Sequence, residues 1–214
     1  MRKVVVDEFM SLDGVVQAPG LPDEDTSGGF EHGGWLGGYF DDLSRRWVIE
    51  NLTKASGFLL GRRTYETFAA YWPTAGEEEP VLAKHLNTKP KYVASTTLVE
   101  PLGWQNSTLL RGDLADAVAA LKQGGGDEVH VIGSSQLVRT LIEHELIDEF
   151  HLMISPVVLG GGKRIFTADG TRRPLRLLSS QATTTGAILA IYAQDKALGV
   201  LGPTLSRRAE GIGA

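Results

Sequence analysis

Short apolar runs alternate along the chain with segments of helical periodicity, a pattern that is typical of a parallel α/β sheet. Strands are predicted over residues 3–9, 58–60, 91–94, 107–111, 129–132 and 150–154, with a closing hairpin over 175–181 and 187–193. Helices are predicted from residue 42 and from 64 to 72. Two more are predicted, one after an N-cap at Asp113 and extending to Leu121, the other after an N-cap at Ser134 or Ser135 and extending to Ile142. We therefore expect an α/β fold with a mostly parallel sheet, flanking helices and a C-terminal antiparallel hairpin.

Three segments interrupt this pattern. Residues 13–40 hold eight of the 26 glycines, and we interpret this long connection as a lid because such loops are usually functional or mobile. Residues 74–90 contain three consecutive glutamates and are predicted to be solvated surface. Residues 195–214 show no periodicity and are predicted to form a flexible tail, so one domain is expected over residues 1–194.

Composition narrows the possible function classes. A hydrophobic content of 42% and a charged content of 22% are those of a globular chain, and the absence of a long apolar stretch or a secretory segment favours the cytoplasm. Without cysteine the chain has no disulfide, thiolate metal site or cysteine nucleophile. A net charge of −5 gives no field that would attract nucleic acid, and the scattered histidines lack metal-ligand spacing.

Two turns between a strand and a helix are candidates for phosphate binding. Gly61-Arg62-Arg63-Thr64 and Gly133-Ser134-Ser135-Gln136 each bring backbone N–H groups to a helix start. Two such turns on one sheet suit a ligand that contains pyrophosphate, and the two guanidiniums add bidentate phosphate donors. Each turn taken singly is better explained as an ordinary capped helix, whereas the two turns together with the paired arginines favour phosphate binding. Ser95 and Thr96, at the end of a third strand, either bind a ribose or simply terminate the strand.

Two aspartates are candidates for acid chemistry. Asp42 lies at a helix start, where it either stabilises the helix dipole or faces a nitrogen of the substrate. Asp13 either forms an Asx turn or points into the same cleft. The standard dinucleotide fingerprint G-x-G-x-x-G, the P-loop and the hydrolase elbow G-x-S-x-G are all absent, so a dinucleotide site requires another fold.

Longer motifs carry a resemblance to a known family. Residues 9–14 read Phe-Met-Ser-Leu-Asp-Gly, residues 60–66 read Leu-Gly-Arg-Arg-Thr-Tyr-Glu, and residues 129–136 lead through 146–150 to the segment 155–166, which contains three successive glycines. Together they resemble the reductase domain of riboflavin biosynthesis, the RibD C-terminal type, within the dihydrofolate reductase-like family. The resemblance extends over about residues 1–193.

This resemblance implies NADPH bound across the carboxyl ends of the strands, and a homodimer. The cofactor-binding residues it implies are Arg62 and Arg63 for the 2′-phosphate, Ser95 and Thr96 for the adenosine ribose, and Thr64, Gly133, Ser134, Ser135, Gln136 and Leu137 for the pyrophosphate. The loop from Ser11 to Pro19 would shield the nicotinamide from water. We expect a stand-alone form without the zinc deaminase module that accompanies this domain in riboflavin synthesis.

The chain departs from the riboflavin reductases at Val131, where they commonly carry a glutamate. The leading hypothesis is therefore an NADPH-dependent reductase that passes a hydride to a C=N or C=O group of a small pterin- or pyrimidine-like substrate. A non-catalytic NADP- or nucleotide-binding protein of the same fold and a phosphate-binding interaction module remain as alternatives. The proton donor is left open among Asp13, Asp42 and bound water.

Overall fold

Strands and helices alternate along residues 1–195, the part of the chain that the computed structural model describes. The strands are β1 (Lys3–Ser11), β2 (Ala55–Gly61), β3 (Lys91–Ala94), β4 (Ser107–Leu110), β5 (Glu128–Ile132), β6 (Glu149–Ser155), β7 (Leu175–Ala182) and β8 (Ile188–Gln194). The helices are α1 (Asp42–Lys54), α2 (Arg62–Tyr71), α3 (Pro80–Thr88), α4 (Leu114–Gln123) and α5 (Ser135–Glu143). Residues 196–214, most of the predicted tail, lie outside the described residues.

The described strands form a single sheet in the order β4-β3-β2-β5-β1-β6-β8-β7. β1 lies near the centre and runs parallel to β5 on one side and to β6 on the other. β2, β3 and β4 continue the parallel arrangement outward from β5. β8 is antiparallel to both β6 and β7. The predicted fold class, with its C-terminal antiparallel hairpin, is confirmed.

Helices cover both faces of the sheet because successive side chains of each strand point to opposite faces. On one face, Val4 and Val6 of β1 belong to a buried cluster with residues of α4 and α5, Leu141 among them. On the other face, Phe58 and Leu60 of β2 belong to a cluster with residues of α1, α2 and α3. The sheet is thus the middle layer of three, and its strand ends carry the turns that are accessible to ligands.

Residues 74–90 contain a helix, so the prediction of solvated surface was wrong for this segment. α3 begins at Pro80, and proline suits the first helical position because a backbone N–H there would have no partner within the helix. Leu82 and Leu86, four residues apart, are buried in the cluster that includes β2. The glutamates at 77–79 dominated the sequence pattern and concealed the short apolar face that follows them.

The segment predicted to be a lid is packed onto the domain by buried polar contacts. Gln17 is buried, and its side-chain N–H groups donate to the carbonyls of Asp25 and Ser27, each at 2.9 Å. Its side-chain oxygen accepts the backbone N–H of Lys163 at 3.0 Å. The indole N–H of Trp35 donates to the carbonyl of Gln17 at 2.8 Å. Through its side-chain amide and its backbone carbonyl, Gln17 therefore joins residues 25–27 and Trp35 to the loop after β6.

Candidate functional site

The turns after β3, β2 and β5 lie side by side at the C-terminal edge of the sheet. β2 is hydrogen-bonded to β3 on one side and to β5 on the other, and all three strands run parallel. Their ends place residues 95–96, 61–64 and 133–137 next to one another, at the edge where α/β sheets usually bind ligands. The structure therefore brings together the three segments that the sequence predicts to bind the cofactor.

The turns at 61–64 and 133–137 are in contact with each other. A Cβ atom added at Gly61 would lie 2.2 Å from Ser134 Oγ, so a larger residue does not fit unless Ser134 moves. Gly133 has a φ of +54°, and a Cβ atom there would lie 3.0 Å from Thr64 Oγ1. Close approach at Gly61 and the positive φ at Gly133 therefore both favour glycine. Consequently α2 and α5 begin side by side, each with backbone N–H groups that have no partner within the helix.

Two arginines stand at this edge in the first turn of α2. The helix begins at Arg62 rather than at Thr64 as predicted, so both guanidiniums leave from its positively polarised end. Arg62 Nη1 lies 3.1 Å from a carboxylate oxygen of Glu66, one turn further along the helix. Arg63 Nη1 lies 3.7 Å from Asp25 Oδ1, and its side chain is 60% exposed. Both pairings are loose surface contacts that an arriving phosphate could replace.

The start of α5 presents backbone and hydroxyl groups in place of charge. Ser134 is the N-cap, but its side chain makes no capping hydrogen bond. Ser135 and Gln136 follow in the first turn, and Gln136 is exposed. The side chain of Leu137 is buried in the core, so only its backbone can reach a ligand. This segment fits an anion through its N–H groups.

Ser95 and Thr96 occupy the third turn, beyond β3. The Oγ atom of Ser95 accepts the backbone N–H of Thr97 at 3.1 Å and that of Leu98 at 3.0 Å. The hydroxyl therefore shapes the turn in the manner of a local side-chain cap. Thr96, the next residue, is exposed to solvent. A ligand at this turn would meet one fixed and one accessible hydroxyl.

A cavity of about 440 Å³ lies between the lid and the loop after β6. Its lining consists of Gln17, residues 27–32, Leu159 and residues 161–163. Across it, Lys163 Nζ donates to Asp25 Oδ2 at 2.5 Å and to Ser27 Oγ at 2.7 Å, an ion pair that holds the lid to that loop. The volume is within the range of small-molecule sites.

Asp13 anchors the same loop from the end of β1. Its Oδ1 accepts from Ser11 Oγ at 2.7 Å and from the N–H of Leu159 at 3.1 Å. Its Oδ2 accepts from the N–H of Gly160 at 3.0 Å and from the guanidinium of Arg164 at 3.1 Å. The hydrogen bond from Ser11 and those from the two backbone groups lower the pKa of Asp13 to about 2. The carboxyl is therefore ionised at neutral pH.

The other predicted acid, Asp42, is the first residue of α1 and is exposed. The N-cap is its neighbour Asp41, whose Oδ1 accepts from the N–H and the hydroxyl of Ser44, both at 2.9 Å. Asp41 Oδ2 accepts from the N–H of Thr184 at 2.9 Å and from its hydroxyl at 2.5 Å. These hydrogen bonds, chiefly that from the Thr184 hydroxyl, hold the pKa of Asp41 well below its usual range. Asp42 thus lies beside the β7–β8 turn, whereas the two contacting turns follow β2 and β5.

A buried polar cluster at the centre of the sheet was not predicted. Asp7 of β1 lies between two histidines, with Oδ2 2.5 Å from Nδ1 of His130 and Oδ1 3.5 Å from Nδ1 of His151. Asn51 of α1 donates to Asp7 Oδ1 at 3.1 Å. Burial opposes the charges, but the mutual attraction outweighs it, so the pKa of Asp7 is lowered and that of His130 is raised. The cluster joins three strands to α1.

Glu8, the next residue of β1, points to the opposite face. It pairs with Leu152 of β6 and stands level with Gly133, since Asp7 pairs with the last residue of β5. Its Oε1 is shielded from solvent and has no hydrogen-bond partner in residues 1–195. Burial, followed by the charges of Asp7 and Glu24, raises the pKa of Glu8 to about 8. The sequence feature that could have identified Glu8 is the pair of adjacent carboxylates, Asp7 and Glu8, inside a strand that is otherwise largely apolar.

Residues 1–195 contain no group of three or more histidine, aspartate or glutamate side chains placed to hold a metal ion. No helix in that range has the length and apolar character needed to cross a membrane. The candidate site itself consists of backbone N–H groups, hydroxyls and two arginines.

Comparison with known proteins agrees with the fold. The model of the RibD C-terminal domain family matches residues 2–189. Two uncharacterized proteins of Bacillus subtilis are similar in sequence. YyaP is 31% identical over 146 residues, 66% of this chain and 75% of YyaP, and YwjB is 29% identical over 121 residues, 56% of this chain and 63% of YwjB.

Two crystal structures have a similar fold. A protein of Shewanella sp. PV-4 named for riboflavin biosynthesis superposes with a TM-score of 0.62 at 21% identity, covering 91% of this chain and 99% of its own. A pyrimidine reductase-like protein of Corynebacterium diphtheriae superposes with a TM-score of 0.63 at 12% identity, covering 91% of this chain and 92% of its own. Structural similarity at such low sequence identity shows a shared fold and says nothing about activity.

Proposed function

The chain belongs to the RibD C-terminal domain family, and on that premise we propose that it is an NADPH-dependent reductase. Membership of this family indicates an oxidoreductase in general; the cofactor and the hydride acceptor are our proposal. The acceptor would be a C=N or C=O group of a small heterocycle of pterin or pyrimidine type. The observation that carries the proposal is the contact between the turns at 61–64 and 133–137, each at the start of a helix.

Each predicted residue has a role toward the cofactor that its position allows. Arg62 and Arg63 would bind the 2′-phosphate, because guanidinium groups pair with phosphate through two parallel hydrogen bonds. The hydroxyl of Thr64 and the N–H groups of residues 133–137 would bind the pyrophosphate. Ser95 and Thr96 would border the adenosine ribose. When bound, NADPH supplies the hydride.

The protein's own contribution to the reaction would be positioning and exclusion of water. The lid, held by the buried side chain of Gln17, would shield the nicotinamide. Asp13 would keep the loop after β6 in place. The proton that accompanies the hydride would come from Asp42 or from bound water, because the carboxylate oxygens of Asp13 are occupied by the hydrogen bonds that hold the loop after β6.

The cavity beside Lys163 is our candidate for the substrate pocket. Its volume of about 440 Å³ accommodates a small heterocycle. The backbone of Gly28, Gly161 and Gly162 along its lining offers hydrogen-bond donors and acceptors. A substrate with ring nitrogens and carbonyl groups would match such a lining.

The family resemblance further implies a homodimer, which we retain as part of the proposal. β7 is one of the two edge strands of the described sheet, and its residues Leu177 and Leu178 are 50% and 42% exposed. Exposed apolar side chains on an unpaired edge strand favour association with another surface.

The role of the arginines is tested by exchanging both. The double variant Arg62→Ala/Arg63→Ala should lose about tenfold or more in affinity for NADPH and little for NADH, because only NADPH carries the 2′-phosphate. Isothermal calorimetry of the full chain measures both affinities. The matched control Lys54→Ala/Lys84→Ala removes the same charge from α1 and α3 and should leave both affinities unchanged.

The outcomes also separate the competing functions. Equal losses for NADPH and NADH would contradict the assignment of the arginines. Binding of NADPH without its oxidation by any pterin or pyrimidine substrate would favour a non-catalytic nucleotide-binding protein. Equal affinity for NADPH and for 2′-phospho-ADP-ribose, which lacks nicotinamide, would favour a phosphate-binding module.

A further inference from the structure

Glu8 lies beside the turn that we assign to the cofactor. Asp7 pairs with Ile132, the last residue of β5, so Glu8 is level with Gly133 at the first position of that turn. Because side chains alternate along a strand, Glu8 shares a face with Val6, which packs in the core that includes α5. Glu8 is therefore on the side of the sheet from which α5 begins.

The lid approaches Glu8 as well. The carboxylate of Glu24 accepts the backbone N–H groups of Gly20 at 2.8 Å and Leu21 at 3.2 Å, which fixes its position in the lid. From there its charge contributes to the raised pKa of Glu8. Glu8 is thus level with the cofactor turn and within electrostatic range of the lid, the two elements that would enclose the nicotinamide.

The carboxyl of Glu8 has an unused hydrogen-bonding atom. Its Oε1 is shielded from solvent and has no partner within the described chain, a state that folded proteins usually avoid unless a ligand or water completes it. The histidines of the sheet centre lie on the opposite face with Asp7. The cations of α5 and of the loop after β6 have other partners: Arg139 the carbonyl of Arg164, Lys163 the carboxylate of Asp25, and Arg164 the carboxylate of Asp13.

We propose that Glu8 contacts the nicotinamide end of the bound cofactor and sets the relative affinity for its reduced and oxidised forms. This inference rests on the proposed function. A protonated carboxyl offers one donor and one acceptor, which match the carboxamide of nicotinamide. An ionised carboxylate instead attracts the positively charged ring of the oxidised form and gains nothing from the neutral reduced ring.

The protonation of Glu8 should therefore be visible in cofactor binding. Burial and the carboxylates of Asp7 and Glu24 raise its pKa to about 8, so the neutral acid dominates at pH 7 and the carboxylate dominates above pH 8. As the pH rises through this value, affinity for NADP⁺ should increase relative to NADPH. We expect the ratio of the two dissociation constants to change about tenfold between roughly pH 6 and pH 9.5. The ratio cancels effects common to both forms, such as ionisation of the 2′-phosphate.

The experiment measures the dissociation constants of NADPH and NADP⁺ by calorimetry across this pH range. The wild-type chain should show the tenfold change. Glu8→Gln keeps a donor and an acceptor but cannot ionise, so its ratio should stay flat with pH. Glu50→Gln, an exposed position on α1, serves as the matched control and should follow the wild type.

The results distinguish this inference from the function on which it rests. If the wild type binds neither form, the proposed function and this inference both fail. If it binds both forms with a ratio that does not depend on pH, only the role of Glu8 is overturned, and this measurement needs no variant to fold. An identical pH dependence in Glu8→Gln would overturn it equally.

Discussion

At the scale of single residues, Asp13 shows how one carboxylate fixes a loop. The pKa of Asp13 is lowered to about 2, below its ordinary value of 3.8, so its contribution to stability is present above pH 3.8 and is lost as the pH falls through 2. Asp13→Asn should lower the free energy of unfolding at pH 7 by on the order of 1–3 kcal/mol, because charged acceptors of several hydrogen bonds are costly to replace. Urea denaturation measures the difference.

Urea denaturation near pH 2 tests whether the stabilisation depends on the ionised form of Asp13. There the wild type has lost most of the contribution of Asp13, so the variant and the wild type should converge. Asp23→Asn, an exposed change in the lid, should leave stability unchanged at both pH values. An Asp13→Asn variant as stable as the wild type at pH 7 would contradict the anchoring role.

The charge state of individual residues was the part that sequence could not supply. Asp7 and Glu8 are visible as two acids within an apolar strand, but His130, which pairs with Asp7, is 123 positions away along the chain. His130 stabilises the charge of Asp7, while burial suppresses that of Glu8. Two neighbouring carboxyls thus acquire opposite behaviour from the two faces of one strand, which only the packed sheet determines.

At the scale of elements, Asp41 links the start of α1 to the β7–β8 turn. One carboxylate oxygen caps the helix through Ser44, and the other accepts two hydrogen bonds from Thr184. Asp41→Ala should therefore lower the midpoint of thermal unfolding, because it removes both the cap of α1 and the link to Thr184. Thermal unfolding of Asp42→Ala, which removes the neighbouring exposed charge, provides the control and should show a smaller change. Equal effects of the two substitutions would show that the link to Thr184 contributes nothing.

Elements with clear apolar periodicity were predictable from the sequence, and elements whose apolar positions are few or follow a run of charged residues were not. The buried strands and the helix capped by Asp113 follow from apolar periodicity and a single capping residue, whose Oδ1 accepts two backbone N–H groups. α3 was missed because its apolar face spans only nine residues after a run of acids. The start of α2 was misplaced by two residues because Gly61 in extended conformation serves as the N-cap without a side chain.

At the scale of the whole molecule, strand order makes the candidate site. The sequence predicted both turns and predicted that, on one sheet, they would together suit a ligand containing pyrophosphate. Their contact depends on β2 and β5 being neighbours, although the two strands are separated by more than sixty residues of chain. Pairing between such distant strands leaves no local sequence signal, so the distance between Gly61 and Ser134 required the structure.

The most direct measurement is a crystal structure of the full chain grown with NADP⁺. We expect electron density for the pyrophosphate at the junction of residues 61–64 and 133–137, the 2′-phosphate against Arg62 and Arg63, and the nicotinamide beside Glu8. NADP⁺ bound at another part of the surface, with this junction open to solvent, would contradict the proposed site.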